Sequence, residues 1–290
     1  MKVSLFSRIL PDLIRIPLAL WARKSGLSKH IQTALCISER RRLARKHALI
    51  TARYHSSSKV LVVCPHFNHA QYLQGCVNSV LAQSHSNFEL VIVDDVSTDP
   101  SVQPLLDTLS SLDSRIKVVR LLENSGSYIA RNTGVSAASP DWTHVAFIDP
   151  DDIADPDWLT HALHVLNSGC GTVRPVLERW TPDFKQFKSM YFGHCPSLHS
   201  RDAWIHAGGF LPVRVSGDAE LTYRMSHLAR HGLVRVLKAS QTSQRVRLIP
   251  GSASQQNLSD RKKWLESRDA EMSDMSPAEL KVVPVTASWK

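Results

Sequence analysis

Continuous apolar runs alternate with amphipathic segments after residue 59, and this alternation is the strongest constraint on the fold. The runs are VLVVC at 60–64, FELVIV at 88–93, IKVVRLL at 116–122 and THVAFI at 143–148. Runs without regular polar alternation are typical of strands that are buried on both faces of a sheet. We therefore predict four buried strands.

An amphipathic segment follows each of these runs. Apolar residues recur there at helical spacing, which predicts helices over residues 70–83, 100–112, 128–138 and 156–167. Strands that alternate with helices form a mostly parallel sheet with right-handed crossovers and helices on its faces. The predicted fold class is therefore α/β, with a Rossmann-like sheet in a single domain over residues 59–258.

The alternation weakens after residue 170. A further helix is predicted over residues 218–231, whereas residues 171–215 carry scattered aromatic side chains and no recognisable signature. The last segment, 259–290, is rich in charged residues, and we expect a helix that is followed by a frayed end.

The positive charge of the chain is confined to its first segment. The formal net charge is +9, yet residues 1–59 alone hold 13 Lys and Arg against 2 Asp and Glu. The remaining residues hold 22 basic and 24 acidic side chains, which argues against a nucleic-acid-binding surface. We predict that the basic segment 1–58 either attaches to an anionic membrane surface or packs on the body as a solvated helix.

The cysteine pattern and the hydropathy of the chain indicate in which cellular compartment it is expected. The 5 cysteines are scattered without a CxxC pair, which favours a reducing environment. The longest charge-free stretch of the first segment, 16–22, is far shorter than the ~20 residues of a membrane-spanning helix. We therefore expect a cytoplasmic location, with peripheral attachment to the inner face of the membrane as the alternative that the basic segment leaves open.

Acidic residues follow two of the predicted strands. Asp94 and Asp95 end the second strand, and the fourth is followed by the DPDD sequence at 149–152. The carboxyl edge of an open parallel sheet is where ligands bind. Clustered carboxylates suit Mg²⁺ or Mn²⁺, which commonly bridge protein and a diphosphate. Asp is also a frequent helix cap, but we favour a metal site for the DPDD cluster.

Five blocks of the chain occur in the order found in a known family. They are residues 62–99, NSGSYIARNTGV at 124–135, FIDPDD at 147–152, AGGF at 207–210 with GDAELTYR at 217–224, and RLIPGSAS at 247–254. In these blocks, from about residue 60 to residue 254, the chain resembles the family 2 glycosyltransferases. The resemblance implies the GT-A fold, a nucleoside-diphosphate sugar donor and an inverting transfer of the sugar to a hydroxyl.

The resemblance also implies a set of donor-site residues, with a UDP-sugar as the first expectation. These residues are Pro65 and Phe67, expected in the first loop, which in the family lines the nucleotide pocket, together with Asp94, Arg131, Asn132 and Asp149. FIDPDD resembles the D-x-D motif of the family, so Asp151 and Asp149 are the expected ligands of Mg²⁺ or Mn²⁺. For Arg131, an ion pair within the protein is an open alternative to ligand contact.

The same resemblance assigns the acceptor side. Asp218 matches the general base, and Glu220 and Arg224 are expected to support its helix or the acceptor. Asp218 would alternatively be an N-cap of helix 218–231. Glu220 follows it by two residues rather than three, so no capping box is expected and catalysis is favoured.

Other activities fit the sequence less well. A nucleotidyltransferase would carry a Gly-rich, basic loop after the first strand, and PHFNHA at 65–70 is neither. A phosphatase with an Asp nucleophile would place its D-x-D after the first strand rather than the fourth. A non-catalytic nucleotide-sugar-binding or scaffold protein on a decayed transferase fold stays as the alternative function. The expected pathway, by analogy, is synthesis of a cell-surface polysaccharide.

Overall fold

The computed structural model describes residues 57–166, 169–195, 197–250 and 258–289. The predicted basic segment 1–58 lies outside these residues except for its last two, and so do residues 251–254 of the closing block. The division of the chain at residue 58 therefore stays a prediction. In the described part of the chain, no helix combines the length and the apolar character needed to cross a membrane.

Nine strands of the described residues form one sheet. They are β1 (Val60–His66), β2 (Phe88–Asp94), β3 (Ile116–Arg120), β4 (His144–Phe147), β5 (Ile153–Ala154), β6 (Gly171–Trp180), β7 (Phe187–Phe192), β8 (Leu198–Ser200) and β9 (Arg235–Arg247). The helices are α1 (Ala70–Leu81), α2 (Val102–Leu112), α3 (Ser127–Ala137), α4 (Trp158–Leu166), α5 (Arg201–Ala207), α6 (Gly217–Arg230), α7 (Leu258–Met272) and α8 (Pro277–Leu280). Each predicted strand and helix is present, with ends that differ by a few residues.

The first half of the sheet is parallel, as predicted. Strands β3, β2, β1 and β4 lie side by side in that order, and each is parallel to its neighbour. The second half is mixed: β8 is antiparallel to β4 and to β6, whereas β9 is parallel to β6. Strands β5 and β7 are antiparallel additions on β9 and β6.

Two hydrophobic layers cover the sheet, which explains why β1 is apolar at every position. Val60, Val62 and Cys64 face the layer formed with α1, α2 and α4. Leu61 and Val63 face the layer formed with α3, α5 and α6. Burial on both faces stabilises the strand by roughly 1.5–3 kcal/mol for each large side chain.

The end of the chain is ordered on the body rather than frayed, so that expectation is wrong. After α8 the backbone runs along α3 and α5, where Val282 N donates to Ala207 O at 3.0 Å and Ala287 N to Thr133 Oγ1 at 3.0 Å. Gly208, at φ +78°, lies so close that an added Cβ would be 1.7 Å from Val282 O. The charged residues of 259–290 suggested a frayed end, but the last residues pack on the body through these backbone hydrogen bonds and through the buried side chains of Leu280 and Ala287.

Candidate active site

The acidic residues after β2 and β4 lie at one edge of the sheet. β1 and β2 end in register, with His66 opposite Asp94, and Asp149 follows the end of β4, the other neighbour of β1. Parallel strands place these carboxyl ends together. Pro65, which we expected in the loop of the nucleotide pocket, is instead a buried residue of β1 opposite Val93. It lies beyond the last pairing of β1 with β4, at Val63, so the sheet tolerates its missing N–H.

Asp94 is held firmly at this edge. Its Oδ1 bonds to His66 Nδ1 at 3.1 Å and accepts from Ser97 Oγ at 2.6 Å. Burial opposes ionisation, but the bonds with His66 and Ser97 hold the pKa of Asp94 below its usual value. The carboxylate is therefore a fixed, charged acceptor, as recognition of a nucleobase N–H would need.

The loop after β1 is tied to the loop after β2. Asn68, at φ +55°, accepts from the backbone N–H of Thr98 at 2.8 Å and of Asp99 at 3.0 Å. Between these tied segments Phe67 stays 43% exposed, which is unusual for so large an apolar side chain beside polar groups. Its ring is available for stacking on a flat ligand.

Asp95 positions a third loop, a role that the sequence did not indicate. Its carboxylate accepts from the backbone N–H of Ser125 at 2.7 Å and of Gly126 at 2.8 Å, directly before α3. Burial raises the pKa of Asp95, and the two backbone bonds oppose that shift. This contact fixes the start of the helix that carries Arg131 and Asn132.

Arg131 forms the ion pair that the sequence left open. Its guanidinium donates to Asp149 Oδ1, and its Cζ lies 5.2 Å from the ring centroid of Tyr128. The Arg131 side chain is 5% exposed, whereas that of Asp149 is 45% exposed. Asp149 is thus oriented from beneath while its outer side stays accessible to a ligand.

Asn132 lies in the interior, where its amide binds the backbone. Its Oδ1 accepts from Phe210 N at 2.9 Å, and its Nδ2 donates to Phe210 O at 2.9 Å and Val285 O at 3.2 Å. With the side chain occupied in this way and buried, direct donor contact is not available to it. We assign Asn132 a framework role in place of the expected donor role.

Replacing Asn132 tests that assignment. We expect Asn132→Ala to lower the free energy of unfolding by about 1–3 kcal/mol, because buried backbone groups lose their partners. Nucleotide affinity of the folded variant should be unchanged. The exposed Asn87→Ala is the matched control, with an expected change within about 0.5 kcal/mol. Urea unfolding and calorimetry measure the two quantities; normal stability with lost nucleotide binding would restore the donor role.

The DPDD cluster is a set of closely spaced carboxylates. Burial and the charge of Asp149 raise the pKa of Asp151 to about 6. Burial and the charges of Asp151 and Asp149 raise the pKa of Asp152 well above its usual value. Arg247 lies nearby, but its Nε donates to the backbone oxygen of Asp151 rather than to its carboxylate. No Lys or Arg of the described residues forms an ion pair with Asp151.

These groups fit a hard divalent cation that has few protein ligands. Oxygen donors of this kind suit Mg²⁺ or Mn²⁺, and a cation would offset the crowding that raises the pKa values. Among the described residues, no three His, Cys, Asp or Glu side chains converge on one metal-sized position. A cation here would therefore depend on a ligand such as a diphosphate to complete its coordination.

Asp218 lies in the first turn of α6, near Arg131, which also pairs with Asp149; we call the region around these three residues the cleft. The N-cap is Ser216, so Asp218 is not the cap that the sequence left as an alternative. Tyr128 donates its hydroxyl proton to Asp218 Oδ1 at 2.8 Å, and the Asp218 side chain is only half-buried. A carboxylate held by a neighbour and open on one side can accept a proton from a ligand.

Glu220 and Arg224 have a supporting role only. Their side chains form a salt bridge at 2.6 Å with both partners fully buried, and Arg224 also donates to Ala207 O. Neither can reach an acceptor. The pair instead fixes α6, and with it Asp218, against α5.

Three residues at the end of β7 and directly after it lie near these charged groups, and the sequence did not indicate any of them. They are Tyr191, His194 and Cys195. Burial raises the pKa of Tyr191 although Arg179 opposes that effect, and the charges of Asp152 and Asp218 add to it, so both acidic groups are within reach of this side chain. Cys195 likewise lies near Arg131, Asp149 and Asp218.

Comparison with known proteins gives the family. Residues 61–203 match the model named Glycosyl transferase family 2. A relative from Bacillus subtilis (strain 168), the putative teichuronic acid biosynthesis glycosyltransferase TuaG, is 41% identical over 107 residues, which are 37% of this chain and 41% of the relative. The teichoic acid poly(glycerol phosphate) polymerase of Staphylococcus epidermidis is 29% identical over 41% of this chain and 16% of its own length. The chain thus spans well under two thirds of these relatives.

Solved structures give the fold. S. aureus TarS 1-349 in complex with UDP-GlcNAc has a TM-score of 0.57 and 16% identity, covering 77% of this chain and 69% of that one. The mannosyltransferase PcManGT from Pyrobaculum calidifontis, in complex with GDP-Man and Mn²⁺, has a TM-score of 0.59 and 16% identity, covering 82% and 74%. These matches confirm the predicted GT-A fold. With its motifs in family order and residues 61–203 matched by the family model, the chain belongs to glycosyl transferase family 2.

Proposed function

We propose that the protein is an inverting glycosyltransferase that moves a sugar from a nucleoside-diphosphate sugar to an acceptor hydroxyl. The observation that carries this proposal is that two carboxylate groups on different elements border one cleft. Asp149 and Asp151 lie at the sheet edge, whereas Asp218 lies on α6 and is held by Tyr128. Tyr191 is within reach of the charges of Asp152 and Asp218.

This arrangement divides the chemistry as inversion requires. An acceptor hydroxyl attacks the anomeric carbon from the side opposite the leaving diphosphate, so base and leaving group need separate places. Asp218 would take the proton of the hydroxyl, and Tyr128 would keep its carboxylate oriented. Arg131 holds Asp149 toward the donor.

The donor would lie along the edge from Phe67 to Asp151. Phe67 would stack on the base, and Asp94, fixed by His66 and Ser97, would accept a hydrogen bond from it. Asp149 would contact the ribose or the sugar. Solved neighbours hold UDP-GlcNAc or GDP-Man, which supports a nucleotide sugar, and we take a UDP-sugar as the first candidate.

Asp151 and Asp149 would hold Mg²⁺ or Mn²⁺. When bound, the cation would neutralise the negative charge that develops on the departing diphosphate. The Mn²⁺ in the mannosyltransferase structure supports this proposal. Named relatives in teichuronic and teichoic acid synthesis support a role in the assembly of a cell-surface glycan.

A nucleotide-sugar panel tests the donor site. With Mn²⁺ present, a UDP-sugar at about 100 times its Kd should stabilise the fold by about 2.7 kcal/mol. For a domain of this size we expect Tm to rise by roughly 5–10 °C. GDP-mannose and a metal-free sample are the controls. The proposal fails if no nucleotide sugar raises Tm; metal-dependent binding without release of nucleotide diphosphate would favour the non-catalytic alternative.

The basic segment 1–58 is proposed to attach the enzyme to anionic membrane. Each basic side chain near such a surface contributes ~1 kcal/mol, and the attraction weakens in salt. We expect the full chain, but not a chain lacking residues 1–56, to float with phosphatidylglycerol vesicles at low salt. Equal flotation of both chains, or flotation that is insensitive to salt, would contradict this location.

A further inference from the structure

The strands that extend the sheet beyond β8 carry a local excess of positive charge. Residues 171–192 and 235–247, which form β6, β7 and β9, contain eight Lys or Arg and two Asp or Glu. The basic residues are Arg174, Arg179, Lys185, Lys188, Arg235, Lys238, Arg245 and Arg247. Acidic residues elsewhere in the domain offset this positive charge, so the net charge of the domain as a whole does not show it.

Two of these arginines have no acidic partner among the described residues. Arg174 Nε donates to Gly193 O at 3.2 Å, and burial lowers its pKa although Tyr223 opposes that effect. Arg179 stacks on Tyr191, with 4.1 Å between its Cζ and the ring centroid. A guanidinium that is partly removed from water without a counter-charge is costly, and such groups commonly serve to bind anions.

Each of these arginines lies near a ring that is within reach of the Asp218 charge: Tyr191 for Arg179 and His194 for Arg174. Tyr191, under Arg179, lies close enough to Asp218 for that charge to raise its pKa in addition to the effect of burial. On the other side, the rings of His194 and Tyr223 are in edge contact at 6.1 Å, next to Arg174. His194 also lies within reach of the Asp218 charge, and its Nδ1 is buried without a hydrogen-bond partner among the described residues.

We propose that Arg174 and Arg179 bind phosphate groups of the acceptor, so that Asp218 activates a hydroxyl on a phosphate-bearing chain. This inference rests on the proposed transferase function and names its acceptor class. Guanidinium groups match phosphate oxygens with paired, charge-assisted hydrogen bonds. Lys185 and Lys188 are exposed on the turn and on β7, where they would meet further phosphates of a repeating chain.

The test uses a fluorescent synthetic hexamer of glycerol phosphate and the full-length protein. Anisotropy gives its Kd for wild type, for Arg174→Gln/Arg179→Gln, and for Lys117→Gln/Lys281→Gln, which removes the same charge elsewhere. We expect the arginine variant to bind at least about tenfold more weakly, as for the loss of charge-assisted bonds, and the lysine variant to bind within about twofold of wild type. Maltohexaose, which is uncharged, should not compete.

Crosslinking distinguishes binding near Arg174 and Arg179 from binding by the basic segment 1–58. A diazirine at the end of the hexamer should crosslink within residues 171–195. Crosslinks confined to residues 1–58, or equal weakening in both variants, would overturn the proposal. Tighter binding of a galacturonate hexamer than of the glycerol phosphate hexamer would mean that the arginines prefer carboxylate to phosphate, which would also overturn the proposal. Loss of flotation on phosphatidylglycerol vesicles without loss of hexamer binding would instead assign the arginines to lipid.

Donor binding keeps the two proposals distinguishable. Both variants should retain the rise in Tm that the UDP-sugar and Mn²⁺ produce, because neither change touches the donor edge. If wild type shows no such rise, the transferase proposal fails whatever the hexamer does. Arg179→Gln alone covers the case in which the double variant melts early, since Arg179 is only half-buried and has no acidic partner among the described residues. Unchanged hexamer binding in that variant would count against the proposal.

Discussion

Asp218→Asn is expected to reduce sugar transfer by at least about 100-fold, the lower end of the contribution that a general base makes. Asparagine keeps the size of the side chain and can still accept the hydrogen bond from Tyr128, but it cannot take a proton. Ser216, not Asp218, occupies the N-cap position of α6, so the melting temperature should stay close to that of wild type. The measurements for variant and wild type are the initial rate of transfer with a donor that binds, the Tm and the donor Kd.

Tyr128→Phe provides the graded control for this prediction. It removes the 2.8 Å hydrogen bond to Asp218 while keeping the ring that packs on Phe210. Loss of one orienting bond should reduce transfer much less than loss of the base, by about tenfold, which corresponds to ~1.4 kcal/mol. Transfer near wild type in a folded Asp218→Asn variant would contradict the assignment. Since Glu220 is buried in its pair with Arg224, another base would then have to come from a residue that lines the cleft.

Asp151→Asn is expected to abolish the Mn²⁺-dependent part of nucleotide diphosphate binding. The amide lacks the charge that holds a divalent cation beside a diphosphate. The fold should persist, because no described Lys or Arg depends on Asp151 for an ion pair and removing a crowded negative charge relieves repulsion from Asp149. Calorimetric titration of UDP with and without Mn²⁺, together with thermal melting, measures the effect.

The acidity of Asp151 adds a second signature. Its raised pKa of about 6 means that protons compete with the cation below that pH, so wild-type Mn²⁺-dependent binding should weaken as pH falls through 6. Asp157→Asn, which changes a half-buried aspartate just before α4, is the control and should leave binding unchanged. Undiminished Mn²⁺-dependent binding in Asp151→Asn would remove the metal assignment.

The sequence predicted the first half of the fold because each strand and helix in that half has a recognisable local pattern of apolar residues. Strands β1 to β4 are apolar runs and the helices between them have a regular apolar spacing, so each could be read separately. Strands β5 to β9 were not predicted individually. β8 has only three residues, and β6 and β9 mix arginine with apolar residues because their edges reach the cleft and the solvent.

The candidate site was likewise predictable only in part. The order of motifs indicated Asp94, Asp149, Asp151 and Asp218, since strand ends and helix starts set the positions of these residues. It placed Pro65 in a loop and Asn132 at the donor because a motif gives position but not the direction of a side chain. Tyr128 and Tyr191 carried no local signal, and the position of Asp95 at a strand end did not indicate that it holds the loop before α3.

By itself, the sequence determined the parallel half of the sheet, the family and the acidic groups that chemistry needs, because these depend on residues close together in the chain. Only the tertiary structure decided which groups remain available to a ligand. Arg131 is engaged by Asp149 and Asn132 by Phe210, across separations that local patterns do not encode. The i,i+4 spacing of Glu220 and Arg224 is local, but their complete burial is not. Partners and burial of this kind follow from packing between distant segments.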